Sequence, residues 1–276
     1  MKQEVSRQGS DSRAEEADLE RVTANFRRYL MGWGRESRGE GCYDHYRSGL
    51  AQPQFNGVVR LRSLDDAEAA LADARRRLAG VPWWWWAGPD SPEETPAVLT
   101  ALGAVPLGPV PLMTLPLRDL SAPEEGPAGL RIEEVRDHDR LTHLVRTYSA
   151  SMGVPSALER DVVEAEEGRP DNADVVRLAA VHNGEVVGTT VVMMAHEVAG
   201  IFLVHVAADY RRRGVGGALT LAALRAGRER GMRLAALCAS TKGEPLYRRL
   251  GFSAVSSYHL FTSPAASHAP RGGLIH

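Results

Sequence analysis

The chain has 276 residues, 43% of them hydrophobic and 25% charged, with a net charge of -2. At about 150 residues per domain that length suits two domains or one large one, and the composition is that of a globular protein rather than a disordered or fibrous one. The near-neutral charge argues against a dedicated duplex-binding protein, and no run approaches the roughly 18 consecutive apolar residues of a membrane span.

Residues 1–20 are polar without an apolar period, which predicts a disordered arm, and a short helix is expected over 19–30. Phe55–Leu61 reads as a strand. Ser63 is then the expected N-cap of a helix running to about Ala79, with Asp65 and Asp66 suiting its positive end. A strand at Trp83–Trp86, a short helix stopped by Gly103 and a strand over Leu112–Leu117 complete the first half. Residues 121–129 (SAPEEGPAG) form a Pro/Gly-rich linker.

The second half opens with a strand at Leu130–Val135 and two helices, over Asp137–Ser149 and Pro155–Glu167. Asn183-Gly184 marks a tight hairpin between strands at 175–181 and 185–194. Gly200–Ala207 is almost wholly apolar, as a strand buried on both faces would be. It leads through Arg211–Gly217 into a helix over 218–230. A strand at 234–239, a short helix at 244–250 and a last strand at 253–261 follow, before a flexible tail at 264–276. The pattern is α/β with a mostly antiparallel start.

Arg211-Arg212-Arg213-Gly214-Val215-Gly216-Gly217 joins a buried strand to a helix start. Glycines let the backbone approach a phosphate and turn its N–H groups into one concavity, and the helix adds its positive end. A bare turn with solvated arginines is the plainer alternative. A dinucleotide fingerprint would need Gly or Ala where Leu219 stands, and a Walker loop would need Gly-Lys-Ser/Thr. The arginines lack the aromatic interleaving of a nucleic-acid site.

With the later run Leu246-Tyr247-Arg248-Arg249-Leu250-Gly251-Phe252, this loop resembles the signature of the Gcn5-related N-acetyltransferase (GNAT) family. There Gln/Arg-x-x-Gly-x-Gly/Ala follows a strand, matched by Arg211, Gly214 and Gly216. The resemblance covers about residues 128–262. It implies the GNAT fold and acetyl-CoA as cofactor, its pyrophosphate held by the amides of Arg212, Arg213, Gly214, Val215, Gly216 and Gly217. Its pantetheine arm would pair with the splayed strand at Val204, His205 and Val206. Ala208 stands where the family often has proline, and Ser240 where an asparagine often contacts the cofactor.

The chemistry asks for three things: a donor to the thioester oxyanion, a proton for the leaving thiolate and a base for the amine. The N–H of Val206 suits the first. Tyr247 stands where the family often places its general acid. His205 is a candidate base; a packed core histidine is the commoner use of such a residue. His196 and Glu197, after the hairpin, are expected to face solvent. Cys42 and Cys238 lie too far apart in sequence for a disulfide framework and too few for a four-cysteine metal site, and Cys238 reads as a small core residue. No metal site is expected.

The first half echoes the second: the strand at 55–61, the helix at 65–79, the tryptophan strand and the helix ending Leu102-Gly103 repeat the order of elements around the glycine loop. There the strand enters its helix through Ser63-Leu64-Asp65-Asp66, with carboxylates where a phosphate would sit. The expected organisation is therefore a degenerate GNAT-like domain over 21–120, without a cofactor site, and a catalytic domain over 130–263. A fused silent copy can replace a dimer partner, so a monomer or a homodimer is expected. Two tryptophans per strand face point to core filling rather than an aromatic cage.

The function expected is acetyl transfer from acetyl-CoA to a primary amine, small molecule or peptide, by direct attack in a ternary complex. A non-catalytic acyl-CoA sensor is the alternative, and nucleic-acid binding ranks third. The acceptor would be chosen by the helices over 137–167, whose Glu159, Asp161, Glu164, Glu166 and Glu167 weakly suit a cation, although a solvated helix face is the favoured reading of them. With no leader pattern at the N-terminus, the expected location is the cytoplasm, and the arginine-rich, lysine-poor usage suggests a G+C-rich bacterial genome.

Overall fold

The computed structural model describes residues 2–120 and 126–262. The expected tail over 264–276 and most of the expected linker lie outside them. Helix α1 (Lys2–Met31) is followed by strands β1 (Glu36–Arg38), β2 (Tyr43–Arg47) and β3 (Asn56–Leu61), helix α2 (Ala67–Arg77), β4 (Trp84–Ala87), α3 (Thr95–Ala101) and β5 (Val105–Pro116). The second half comprises β6 (Leu130–Glu134), α4 (His138–Met152), α5 (Glu159–Glu167), β7 (Val175–His182), β8 (Glu185–Ala195), β9 (Val198–Val206), α6 (Val215–Glu229), β10 (Leu234–Cys238), α7 (Glu244–Arg249) and β11 (Ser253–Thr262).

All eleven strands join one sheet, in the order β1-β2-β3-β4-β11-β5-β10-β9-β8-β7-β6. The order contains an exchange. β11 lies between β4 and β5, and β5 lies between β11 and β10, so each half of the chain is completed by the last strand of the other. Two strands run parallel to their neighbours, β3 with β4 and β9 with β10, and the order β3-α2-β4-α3-β5 repeats as β9-α6-β10-α7-β11. The echo in the sequence is thus an echo in topology, although the two halves do not form separate sheets.

One face of the sheet carries a single core shared by both halves, built from α1, α4, α5 and the inward residues of β4, β8, β9 and β11. The other face is divided. α6 and α7 cover the second half, with Ala223, Leu224, Tyr247 and Phe252 at the centre, and α2 and α3 cover the first, with Ala70, Leu71, Ala74 and Leu99.

Three expectations are corrected here. The segment expected as an arm over 1–20 is helical from Lys2, continuous with the stretch whose Val22, Phe26, Tyr29, Leu30 and Trp33 are buried. Their spacing of four, three, one and three residues makes one stripe, and docking that stripe stabilises a helix whose own composition is polar. Asn25 secures the same face, its side-chain amide donating to the carbonyls of Met193, Ala195 and Val198 at 2.9–3.0 Å. Second, α2 begins after Asp66 rather than Ser63, whose hydroxyl only accepts from the Asp65 N–H within the preceding turn. Third, the strand expected over Leu112–Leu117 is β5, which already begins at Val105; β1 and β2 are additions that the sequence reading did not contain. The Asn183-Gly184 turn forms as expected, with φ of 51° and 86°, and His196 and Glu197 occupy an exposed turn.

Candidate active site

The site begins where two parallel strands part. β9 pairs with β10 only through Val198, Ala199 and Gly200, opposite Leu234, Ala235 and Ala236. Beyond that point β10 continues on β5, and the edge of β9 from Ile201 to Val206 that faces β10 has no strand partner among the described residues. A bulge accompanies the divergence: the register with β8 shifts between Phe202 and His205, and Leu203 adopts a φ of 50°. Thr189 Oγ1 and Thr190 Oγ1 hold the bulge by donating to the carbonyls of Leu203 and Phe202, at 2.8 and 3.2 Å.

At the end of β9 the Arg211–Gly217 loop turns into α6. Arg212 (φ 59°) and the helix-capping Gly214 (φ 82°) are both left-handed, which glycine allows without strain at the second position. The first N–H groups of α6, from Val215 onward, have no acceptor within the helix. A Cβ at Gly216 would meet only Leu246 and Val206 side chains at 3.5 and 3.8 Å, so the entrance to the helix is clear of backbone. Free N–H groups at a helix start beside unhindered glycines make a cradle of the shape that suits an anion. Arg211 Nε donates to the Val206 carbonyl at 3.0 Å, tying loop to strand, while the Arg213 guanidinium lies over the Tyr210 ring at 5.6 Å.

A cavity of about 330 Å³ runs from this loop through the gap between β9 and β10. Its lining joins residues from both faces of the sheet: Leu246 and Tyr247 from α7 on one side, and Met152 of α4, Phe26 of α1 and Trp86 of β4 on the other. The separation of the strands makes that passage possible.

Of the residues expected from the sequence, Val204, His205, Val206, Arg211, Gly216, Ser240 and Tyr247 meet on its wall. Arg212, Arg213, Gly214, Val215 and Gly217 do not line it; the first three are exposed at the loop, and the Val215 side chain is buried beneath it. Tyr247 is 8% exposed, edge-on to Phe252, and its hydroxyl has no hydrogen-bond partner among the described residues. Burial pushes its pKa up to about 12. His205 is buried, with Nδ1 3.0 Å from Ser151 Oγ of α4, which also receives Arg211 Nη2 at 3.4 Å. Ser240 Oγ accepts from the Gly243 N–H at 3.1 Å and so braces the turn into α7. Cys238 lines the cavity too, and burial pushes its thiol well up, away from the thiolate a nucleophile needs.

The sequence missed several wall residues. Lys242 lines the cavity from the turn into α7, and Phe26, Tyr29, Trp33, Gln54, Phe55 and Ser151 come from elements whose position depends on the tertiary fold. The acidic residues over 159–167 stand apart from the site. Glu159, Glu164, Glu166 and Glu167 pair with Arg146, Arg160, Arg177 and His138, and neither they nor Asp161 line the cavity. The tryptophan strand alternates as expected: Trp83 and Trp85 pack under α2 and α3, but Trp84 and Trp86 reach the cavity wall. No described helix is long and apolar enough to cross a membrane.

Residues 139–252 match the family model of the acetyltransferase (GNAT) family, and this chain carries a GNAT domain. The fold as a whole is similar to that of a GCN5-related N-acetyltransferase from Kribbella flavida, with 19% identity over 91% of this chain and 95% of that one and a TM-score of 0.67. A GCN5-related N-acetyltransferase from Sphaerobacter thermophilus matches over 82% and 77% of the two chains, at 18% identity and a TM-score of 0.58. A tandem GNAT protein from the clavulanic acid biosynthesis pathway matches over 83% and 80%, at 18% identity and a TM-score of 0.56. No curated protein matches the sequence.

Proposed function

We propose that this protein transfers an acetyl group from acetyl-CoA to a primary amine by direct attack in a ternary complex. The observation that carries the reading is the cavity itself, which joins the Arg211–Gly217 cradle, the unpaired edge of β9 and the Tyr247 hydroxyl in one space. These residues suit the cofactor. The glycines leave the α6 entrance open, Arg211 and Lys242 put positive charge on the cavity wall, and β9 offers free backbone to an extended arm. When bound, acetyl-CoA supplies the acyl group already activated as a thioester.

The chain's own residues then have distinct tasks. The Val206 N–H donates to the oxygen on which negative charge develops. Tyr247, protonated across the physiological range, gives its proton to the departing sulfur. His205, fixed by Ser151, takes the proton from the attacking amine. Cys238 takes no part, because burial keeps its thiol protonated.

The first half of the chain is a degenerate copy without a cofactor site. Its β3–β4 pair also parts, after Gly57 and Val58, but the gap is filled from within: the Leu61 N–H donates to Ser91 Oγ at 3.1 Å, and Val59 and Leu61 are fully buried. The connection into α2 exposes Asp65 and Asp66 instead of a glycine cradle.

Calorimetric titration with acetyl-CoA tests the reading, alongside Gly216→Glu, which places bulk and negative charge in the cradle. One cofactor per chain, lost in the variant, is the expected result. Absence of binding to the wild type overturns the cofactor assignment, and two equivalents overturn the silent copy.

A further inference from the structure

Acetyl transfer leaves half of the cavity without a task. On the α1 face of the sheet it is closed by Phe26, Tyr29, Trp33, Phe55, Trp84 and Trp86, each less than a tenth exposed and each from the first half of the chain. The rings brace one another: Phe26 meets Trp86 edge-on at 5.3 Å, Trp33 lies 4.6 Å from Phe55, and Trp84 lies 5.9 Å from Trp86. Among the described residues no aspartate or glutamate lines the cavity, and its Arg211 is tied to the Val206 carbonyl and to Ser151 Oγ.

Resting on the acetyl-transfer reading, we infer that this aromatic chamber is the acceptor site, and that the acceptor is a small primary amine carrying an aromatic ring. Ring edges and faces on the wall favour an aromatic guest through the same offset and edge-on contacts that they make with one another. A polyamine or a lysine-rich peptide would bring several charges into a space with no counter-charge, at a desolvation cost that nothing there offsets. Apolar surroundings also disfavour the protonated form of a single amine. The neutral, nucleophilic form is the one the chamber selects. The volume, about 330 Å³ for both reactants' ends, lies at the small limit of the roughly 300–1,000 Å³ usual for small-molecule sites.

Gln54 refines the class. It lies on the same wall, and its side-chain carbonyl oxygen is buried without a hydrogen-bond partner. Such an atom is costly to leave unmatched. A hydroxyl on the ring of the guest supplies the missing donor once the Gln54 amide turns that oxygen, which has almost no exposed surface in the free protein, toward the cavity.

The test uses phenethylamine, tyramine and butane-1,4-diamine with the full chain. Each amine is titrated into the free protein by calorimetry, and kcat/KM is measured by release of the CoA thiol. We expect phenethylamine to exceed the diamine by about tenfold or more in kcat/KM, and tyramine to exceed phenethylamine by about tenfold. Gln54→Leu should close the second gap and leave the first. Trp86→Leu should raise KM for phenethylamine, with unchanged acetyl-CoA affinity as the control for folding. Equal or better use of the diamine overturns the inference, as does acetyl-CoA binding with no binding or turnover of either aromatic amine. Binding of phenethylamine to a protein that fails to bind acetyl-CoA would instead overturn the transfer reading and keep the chamber.

Discussion

The ring of Tyr29 in α1 stacks on that of Phe202 in β9, with centroids 3.6 Å apart and planes 11° from parallel. This contact fastens a helix of the first half to the strand of the second half that diverges at the candidate active site. Arg169 reinforces it. Its guanidinium, buried and paired with Asp171, donates to the Tyr29 carbonyl at 2.7 Å and lies over the Tyr29 and Trp33 rings at 4.7 and 5.0 Å. The aromatic wall is thus held in place from the GNAT domain itself.

Breaking the stack should therefore cost stability and couple the two halves. Tyr29→Ala removes a fully packed ring and is expected to destabilise by about 3–5 kcal/mol. A double-mutant cycle with Phe202→Ala, read by urea unfolding, should return a coupling of about 0.5–1.5 kcal/mol. Additive losses would show that α1 docks by its other contacts.

Tyr247→Phe removes only the hydroxyl of a residue edge-on to Phe252. The expected outcome is a fall in kcat of about 10²-fold or more, with acetyl-CoA affinity unchanged. Since burial raises this tyrosine to about 12, the wild-type rate should not decline on its account below about pH 10. Wild-type turnover in the variant would remove Tyr247 from the proton inventory.

His205 and Ser151 separate a base from the group that holds it. His205→Asn should lower kcat by about 10²-fold. Ser151→Ala keeps the imidazole but frees its orientation, and a smaller loss is expected, on the order of tenfold. If both variants turn over normally, the proton leaves by another route.

The GNAT half was legible because its decisive features are local. Asn183-Gly184 dictates a turn, Gly214 a left-handed cap, and the apolar run at 200–207 a central strand. Three features depended on distant partners instead. The stripe of α1 lies within a helix of polar composition, and its burial follows from where β8 and β9 happen to be. The strand exchange was hidden because β5 and β11 are each antiparallel partners for either half, and local pattern does not say which neighbour a strand takes. The acceptor wall required both facts: alternation places Trp84 and Trp86 on one face, but only the fold turns that face toward the cavity.

Alkaline stability follows from burial of the phenols. Tyr29, Tyr43, Tyr46, Tyr148, Tyr247 and Tyr258, six of the seven tyrosines, are all raised, chiefly because burial disfavours the phenolate. A group with a raised folded pKa contributes its full stability below the unfolded value of about 10, and loses it as pH climbs from there through the folded value. Unfolding should therefore set in above about pH 10, with tyrosinate absorbance and loss of helical circular dichroism rising together. Tyrosinate absorbance from several residues before any loss of ellipticity would contradict this burial.

The exchange of β5 and β11 makes a sharper prediction about the halves. A fragment of residues 1–120 lacks β11, which pairs with β4 from His259 to Thr262 and with β5 from Ser253 to Thr262. The complementary fragment, 121–276, lacks β5, which covers β10 from Leu234 to Cys238. Each fragment alone would present an unpaired central edge and an exposed apolar face, the usual route to aggregation. Expressed separately, both should be insoluble or oligomeric. Co-expressed, they should associate one to one and recover cooperative unfolding, because the missing strand of each is supplied by the other. A soluble, monomeric 121–276 fragment with a cooperative transition would mean that the GNAT half closes its sheet with β11 alone.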